Sequence, residues 1–277
     1  MSRNNQSRLK APQPAFSADP VGALAPTQIN ISVPSEFVEL PSHGLFYPPN
    51  HPLYQKETIE IKHMTAKEED ILTSEALIKK GIVLDRLIQS IVLDRRIDPS
   101  SILICDRNAI LIAARASAYG NDYEASVVCP ACRESNEIVY DLGTHGCEQH
   151  ELPDDVTVTE RGTLRVMLPK SGKLVEFRLL TGHDENSNIS QDKSVGVVSD
   201  QMKRVICSVD SNDDPGYVRM FAENMPAFDS RFLRNIVKQS TPSTDLKLDL
   251  VCNSCGNQAE VEVPIGTRFF WPDAQVY

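Results

Sequence analysis

Short runs of alternating apolar and polar positions lie before and after two Cys-x-x-Cys motifs that are far apart in the chain. Alternation with a period of two is typical of half-buried β-strands, and a polar turn between two such runs predicts a β-hairpin. Each motif is therefore predicted to form the turn of a hairpin. The motifs are Cys129 with Cys132, between the runs 124–128 and 137–142, and Cys252 with Cys255, between the runs 246–251 and 260–265.

Helical periodicity dominates the region before the first motif and predicts three helices. A capping box of Thr65 and Glu68 begins the first helix, which is expected to run to Lys80. Asp106 is expected to cap the third helix, at residues 109–118. The second helix carries an apolar stripe at i, i+3, i+4, i+7 and i+8, which predicts one buried face. The stripe consists of Leu84, Leu87, Ile88, Ile91 and Val92.

The region between the two motifs mixes both periodicities, so the predicted fold class is α+β. Strands are predicted at residues 156–159, 164–168 and 174–180, and helices at 195–205, 215–224 and 229–239. The expected organisation has four parts. They are an extended N-terminal arm (1–35), a loop with a three-helix unit (36–122), a zinc-ribbon-like module (123–146 and 246–277) and an α+β insertion (147–245).

The paired motifs predict a structural zinc site. Zn²⁺ binds thiolate sulfur at about 2.3 Å in tetrahedral geometry, and four thiolates leave no open position for a substrate. Bringing the two motifs together would loop the intervening residues out of a single module. The predicted ligands are Cys129, Cys132, Cys252 and Cys255.

Three alternatives to this site stay open at the level of sequence. Cys129 and Cys132 could bind a metal locally with two of His145, Cys147 and His150. A redox role is disfavoured, because thioredoxin-like motifs open a helix, whereas a strand is expected to follow Cys132. The third alternative is a set of buried thiols without a metal.

Composition narrows the function classes further. The net charge of −10 argues against nucleic acid as the main partner, since phosphate binding needs clustered Lys and Arg. No apolar run approaches the roughly 20 residues of a membrane span, and no secretory signal is visible, so membrane insertion is not expected. Seven cysteines fit a reducing cytoplasm better than a disulfide framework. No nucleophile-base pair, phosphate-binding glycine loop or HExxH motif is present, so an enzyme is not expected.

Two aromatic clusters are candidates for contacts with a partner. Phe46 and Tyr47 follow a turn punctuated by Pro41 and Gly44, and they would fill a pocket in the chain's own core or in a partner. Phe269, Phe270 and Trp271 form the second cluster, which either folds back onto the zinc-ribbon-like module or anchors a neighbouring subunit. The arm before residue 35 is mildly basic and could lie along an acidic neighbour.

Several blocks, in order along residues 36–277, resemble the baseplate hub proteins of T4-like contractile-tailed bacteriophages. Each block is ordinary alone, but the ordered set is specific. The blocks are Leu40-Pro-Ser-His-Gly-Leu-Phe-Tyr47, Ala114-Arg-Ala-Ser-Ala-Tyr-Gly-Asn-Asp-Tyr123, Cys129-Pro-Ala-Cys132, Met225-Pro-Ala-Phe-Asp-Ser-Arg-Phe-Leu-Arg234, Cys252-Asn-Ser-Cys-Gly256, Val263-Pro264 and Phe269-Phe-Trp-Pro272.

The resemblance implies a structural part of the phage tail baseplate, made in the bacterial cytoplasm and located in the virion. Its expected partners are other hub and wedge proteins, or copies of itself in a symmetric ring. An assembly factor that is absent from finished particles is the alternative. A nucleic-acid-binding zinc ribbon is a third hypothesis, which the acidic residues near both motifs disfavour.

Overall fold

The computed structural model describes most of the chain between residues 33 and 270. The described residues are 33–144, 151–189, 197–242, 246–263, 265 and 267–270. All of them fall within one compact unit, Val33–Tyr277. Almost all of the predicted N-terminal arm lies outside them, as do His145, Cys147, His150 and Trp271.

The first part of the described chain combines a two-stranded antiparallel sheet with four helices. The capping box is confirmed, because the carboxylate of Glu68 accepts a hydrogen bond from the backbone N–H of Thr65 at 2.9 Å. The predicted helix from 65 to 80 is interrupted at Ser74, whose backbone is extended. The elements are β1 (Ser35–Glu39), β2 (Thr58–Lys62), α1 (Ala66–Thr73), α2 (Glu75–Lys79), α3 (Val83–Ile91) and α4 (Ile104–Tyr119).

Asp106 corrects the prediction for the start of α4. The helix begins at Ile104 and has Leu103 at the N-cap position, so Asp106 lies in the first turn and is not the cap. Its buried carboxylate binds the loop before β2 instead. It accepts hydrogen bonds from the backbone N–H and hydroxyl of Ser42, at 3.0 and 2.6 Å, and from the Tyr47 hydroxyl at 2.7 Å. Burial raises the pKa of Asp106, and these hydrogen bonds oppose that rise.

Two hairpins follow, separated by the segment that was predicted to be an insertion. The first hairpin pairs β3 (Asp122–Val128) with β4 (Ser135–Asp141), and the second pairs β9 (Leu246–Val251) with β10 (Gln258–Val263). Both surround a Cys-x-x-Cys turn, as predicted. A short helix, α9 (Thr267–Phe270), follows the second hairpin.

The intervening segment contains a four-stranded antiparallel sheet and four helices among its described residues. Asp214 caps α7 as predicted, accepting a hydrogen bond from the backbone N–H of Tyr217 at 2.8 Å. The fourth strand, β8, was not predicted. The elements are β5 (Thr157–Val158), β6 (Leu164–Met167), β7 (Leu174–Phe177), α5 (Gly182–Ile189), α6 (Val197–Val205), β8 (Ile206–Val209), α7 (Pro215–Asn224) and α8 (Ala227–Ser240).

These helices and small antiparallel sheets confirm the predicted α+β class. One hydrophobic core runs through both hairpin regions and the intervening segment. The division of the chain at residues 36–122, 123–146 with 246–277, and 147–245 stays a prediction.

Candidate metal centre

The two Cys-x-x-Cys turns have the same backbone construction. In the first, the N–H of Cys129 donates to the carbonyl of Glu134, and the N–H of Arg133 donates to the carbonyl of Cys129, both at 2.9 Å. In the second, Cys252 donates to Asn257 and Gly256 donates to Cys252, again at 2.9 Å. The two turns are therefore equivalent residue by residue, with Arg133 in the position of Gly256.

This shared position has a left-handed backbone in both turns. The φ angle is 63° at Arg133 and 69° at Gly256. Glycine adopts such a conformation without strain, whereas a residue with a Cβ is disfavoured there. The first turn keeps the geometry of the second at a cost in backbone energy.

The fold brings the four sulfur atoms into one cluster, although the two turns are far apart in sequence. The sulfur atoms of Cys129 and Cys255 are 3.8 Å apart, and those of Cys132 and Cys252 are 3.6 Å apart. All four lie within 4.8 Å of one another. Cys129 and Cys252 are buried, and Cys132 and Cys255 are exposed.

The cluster fits a tetrahedral metal ion. Four sulfur atoms placed about 2.3 Å from a central Zn²⁺ are separated from one another by about 3.8 Å. The two close pairs match this separation, and both exceed the roughly 2.0 Å of a disulfide bond. The donor set also suits the ion, because thiolates select zinc and iron-sulfur clusters over hard cations. An ion bound by all four sulfurs would have no open position for catalysis.

Backbone N–H groups of the turns favour the thiolate form of one cysteine in each motif. The N–H of Cys255 is the largest contributor to lowering the pKa of Cys252, to about 6. The N–H of Cys132 has the corresponding role in lowering the pKa of Cys129. At Cys132 the N–H of Glu134 lowers the pKa, but Cys255, burial and the other two sulfurs together raise it to about 12. The crowded sulfurs thus oppose ionisation of all four cysteines at once. A divalent cation bound among them would neutralise the repulsion between the thiolates.

Asn136 joins the two turns and was not singled out from the sequence. It lies at an inward position of β4 and is 3% exposed. Its side-chain oxygen accepts a hydrogen bond from the backbone N–H of Asn253 at 2.9 Å, and its side-chain nitrogen lies 3.6 Å from the sulfur of Cys252. The sequence feature that could have identified Asn136 is a polar residue at an inward-facing position of a strand with alternating apolar and polar residues.

The aromatic residues proposed for partner contacts are buried in the chain's own core wherever the structure describes them. Phe46 is 9%, Tyr47 2%, Phe269 0% and Phe270 1% exposed. The ring of Phe269 packs against Tyr123, with centroids 4.9 Å apart. The segment with Phe269 and Phe270 therefore folds back beside the first hairpin, and contact of either aromatic cluster with a partner stays a prediction.

Arg115 connects this C-terminal segment to α4. It is 4% exposed, and its guanidinium donates to the carbonyls of Phe269 and Gly120, each at 3.3 Å. The same guanidinium lies over the rings of Tyr119 and Tyr123, at 5.0 and 5.7 Å from their centroids. Hydrogen bonds and cation-π contacts thus hold the end of α4, the start of β3 and α9 together.

These features define an α+β protein built around a cluster of four cysteines, in which two distant hairpins meet. A family model described as "T4 bacteriophage base plate protein" matches residues 50–271. The chain belongs to this family, which confirms the resemblance at family level and indicates a structural role in the baseplate of a phage tail. No curated protein and no solved structure gives a significant match to the chain. Within the described residues, no helix is both long and apolar enough to cross a membrane.

Proposed function

We propose that the protein is a structural component of the hub region of a contractile phage tail baseplate, stabilised by a zinc ion bound to Cys129, Cys132, Cys252 and Cys255. The match to the baseplate family over residues 50–271 carries the proposal. The clustering of the four sulfur atoms within 4.8 Å, with two pairs at 3.6 and 3.8 Å, supports its metal component. The protein would act through contacts with other proteins and not through catalysis.

The ion would join two segments that the chain itself leaves far apart. The first hairpin follows directly after α4, and the second precedes α9, so a metal bound to both would hold the helical unit and the C-terminal segment in one zinc-ribbon-like module. The intervening segment would leave this module after Asp141 and return at Leu246, at the open ends of the two hairpins and away from the ion. Such a cross-link would keep the helical unit and the insertion at a fixed angle while the tail contracts.

The expected partners are hub and wedge proteins of the baseplate, or further copies of this chain in a ring. Nucleic acid is a poor partner for the first hairpin, because the exposed face of its two strands carries acids and no Lys or Arg, and Arg133 in the turn is its one exposed base. Asp122 lies opposite Asp141, so two like charges face each other across the strands. The same negative charge would repel the phosphates of a nucleic acid. The acidic residues on this face are Asp122, Glu124, Glu137 and Asp141.

A truncation tests whether the C-terminal segment contacts a partner. Because Phe269 and Phe270 are buried, deleting residues 271–277 removes Trp271 and spares the packed aromatic pair. We expect the truncated chain to fold, with the circular dichroism spectrum of the wild type, but to fail in reconstituted hub assembly. The control is Phe269→Ala, which should lower stability by about 3–5 kcal/mol, the range for truncation of a buried Phe. Normal assembly by the truncated chain would refute the partner contact.

The experiment that tests the baseplate role is quantitative mass spectrometry of purified, intact phage particles, with the tail-tube subunit as internal standard. A fixed number of copies per tail is expected for a built-in component. Absence from particles, together with abundance in infected cells, would overturn the structural proposal and favour the assembly factor. Metal analysis of the natively purified protein tests the zinc component separately, with about one zinc per chain expected for a closed four-thiolate site.

A further inference from the structure

The two cysteine turns are equivalent in backbone but not in what surrounds their first cysteine. Since Cys129 corresponds to Cys252 and Glu134 to Asn257 in the hydrogen-bonding pattern, Asn136 corresponds to Ala259. The side chain of Asn136 reaches across to the second turn. The side chain of Ala259 has no polar group, so it cannot make the equivalent hydrogen bonds to the first turn.

The orientation of the Asn136 amide follows from its neighbours. The N–H of Asn253 can only donate, so the side-chain oxygen of Asn136 must face it, at 2.9 Å. The amide nitrogen then faces two acceptors, the carbonyl of Glu134 at 3.1 Å and the sulfur of Cys252 at 3.6 Å. One buried side chain therefore binds its own turn, the backbone of the opposite turn and a cysteine sulfur.

We propose that Asn136 is a positioning residue of the metal centre, an inference that rests on the proposed zinc site. Its oxygen docks the second turn against the first, and its N–H donates to the thiolate of Cys252. Groups of this kind orient metal ligands, and their loss typically lowers metal affinity by about 10–100-fold. The centre is then asymmetric, because Cys252 receives a side-chain hydrogen bond from this residue, whereas the equivalent residue of the second hairpin, Ala259, has no donor to offer Cys129.

Asn136→Asp separates the two functions of the side chain. The variant keeps an oxygen for the N–H of Asn253 but replaces the amide nitrogen, which donates to Cys252 and to the carbonyl of Glu134, with a second acceptor. We expect its affinity for Co²⁺ to fall by about 10–100-fold, measured by competition with a chromophoric chelator. Asn253→Ala is the matched control, since Asn253 contributes only its backbone N–H to this contact, and it should bind Co²⁺ like the wild type.

The absorption of the cobalt-loaded protein distinguishes a hydrogen bond to sulfur from simple structural support. Loss of an N–H donor raises the energy of the sulfur lone pair, so the sulfur-to-cobalt charge-transfer band should move to longer wavelength in Asn136→Asp and stay in place in Asn253→Ala. A band that does not move in Asn136→Asp would overturn the proposal. If wild-type protein takes up no cobalt, the zinc site itself fails, and the role of Asn136 fails with it.

A measurement on the wild type covers the case in which the variant does not fold. In protein loaded with ¹¹³Cd²⁺, a hydrogen bond from Asn136 to a metal-bound sulfur transmits scalar coupling between cadmium and the side-chain amide proton. Nuclear magnetic resonance should detect that coupling. Coupling seen only to backbone amides of the two turns would refute the assignment of Asn136.

Discussion

Replacing Cys252 with serine should abolish the dependence of folding stability on zinc. The ion stabilises the native state only as far as it binds that state more tightly than it binds the unfolded chain. In the native fold the four sulfur atoms already lie within 4.8 Å of one another. The unfolded chain must instead close a loop between Cys129 and Cys252 before it can offer the same four ligands.

The size of the effect follows from that loop. Closing about 120 residues costs the unfolded chain about 5 kcal/mol at 25 °C by the chain-entropy relation. Saturating zinc should therefore raise the free energy of unfolding by about 5 kcal/mol relative to the same protein in excess chelator. Any zinc that the unfolded chain binds through one cysteine pair alone reduces this difference.

Urea unfolding followed by circular dichroism, at buffered free zinc and again in chelator, measures the difference. We expect Cys252→Ser and Cys129→Ser each to release the metal and to show the same stability in both conditions. Cys207→Ser is the control, because Cys207 lies outside the cluster and should leave the zinc effect intact. Metal retained by Cys252→Ser would refute the four-cysteine site and favour the local one, in which two of His145, Cys147 and His150 join the first motif.

Two further predictions concern the buried carboxylate of Glu68 and the left-handed backbone of the two cysteine turns. Burial would raise the pKa of Glu68, but hydrogen bonds from Lys62, Ser90 and Thr65 outweigh it and lower the pKa to about 2 from 4.5. The resulting stability, about 3 kcal/mol, is present above pH 4.5 and lost as the pH falls towards 2. We expect the free energy of unfolding of the wild type to exceed that of Glu68→Gln at neutral pH, and the difference to disappear as the pH falls through this window. A difference that does not change with pH would contradict the reasoning. Arg133→Gly should stabilise the first turn by roughly 1 kcal/mol through relief of the left-handed backbone, whereas Arg133→Ala should not. Gly256→Ala should cost a similar amount, because its Cβ meets nothing within 4 Å and only the backbone is strained. Thermal unfolding of the three variants checks this, and equal melting temperatures for Arg133→Gly and Arg133→Ala would refute it.

Local chemistry explains why many elements could be predicted from sequence. The capping box at Thr65 and Glu68, the Asp214 cap with Pro215, and both cysteine hairpins depend on groups within a few residues of one another. The buried stripe of α3 depends only on helical periodicity. The prediction of the four ligands also came from spacing, because two Cys-x-x-Cys turns are a compact signal.

Other features could not be predicted because they depend on residues far apart in the chain. Asp106 resembled a helix cap locally, yet its carboxylate binds Ser42 and Tyr47, about sixty positions away along the chain. Its role was set by burial, since a carboxylate removed from water needs hydrogen-bond donors from whichever segment packs against it. Strand β8 was missed because a helix runs straight into it, and its pairing with β7 defines it.

The sequence by itself determined the kind of protein: an α+β chain with two cysteine turns and ordered blocks typical of the baseplate family. Tertiary structure decided which groups meet at the centre. It brought the four sulfurs within 4.8 Å of one another, set Asn136 between the turns and buried Phe269, whose carbonyl accepts a hydrogen bond from Arg115. The physical reason is that turns and caps are stabilised by neighbouring backbone groups, whereas these contacts form only when many weak packing interactions bring distant segments together.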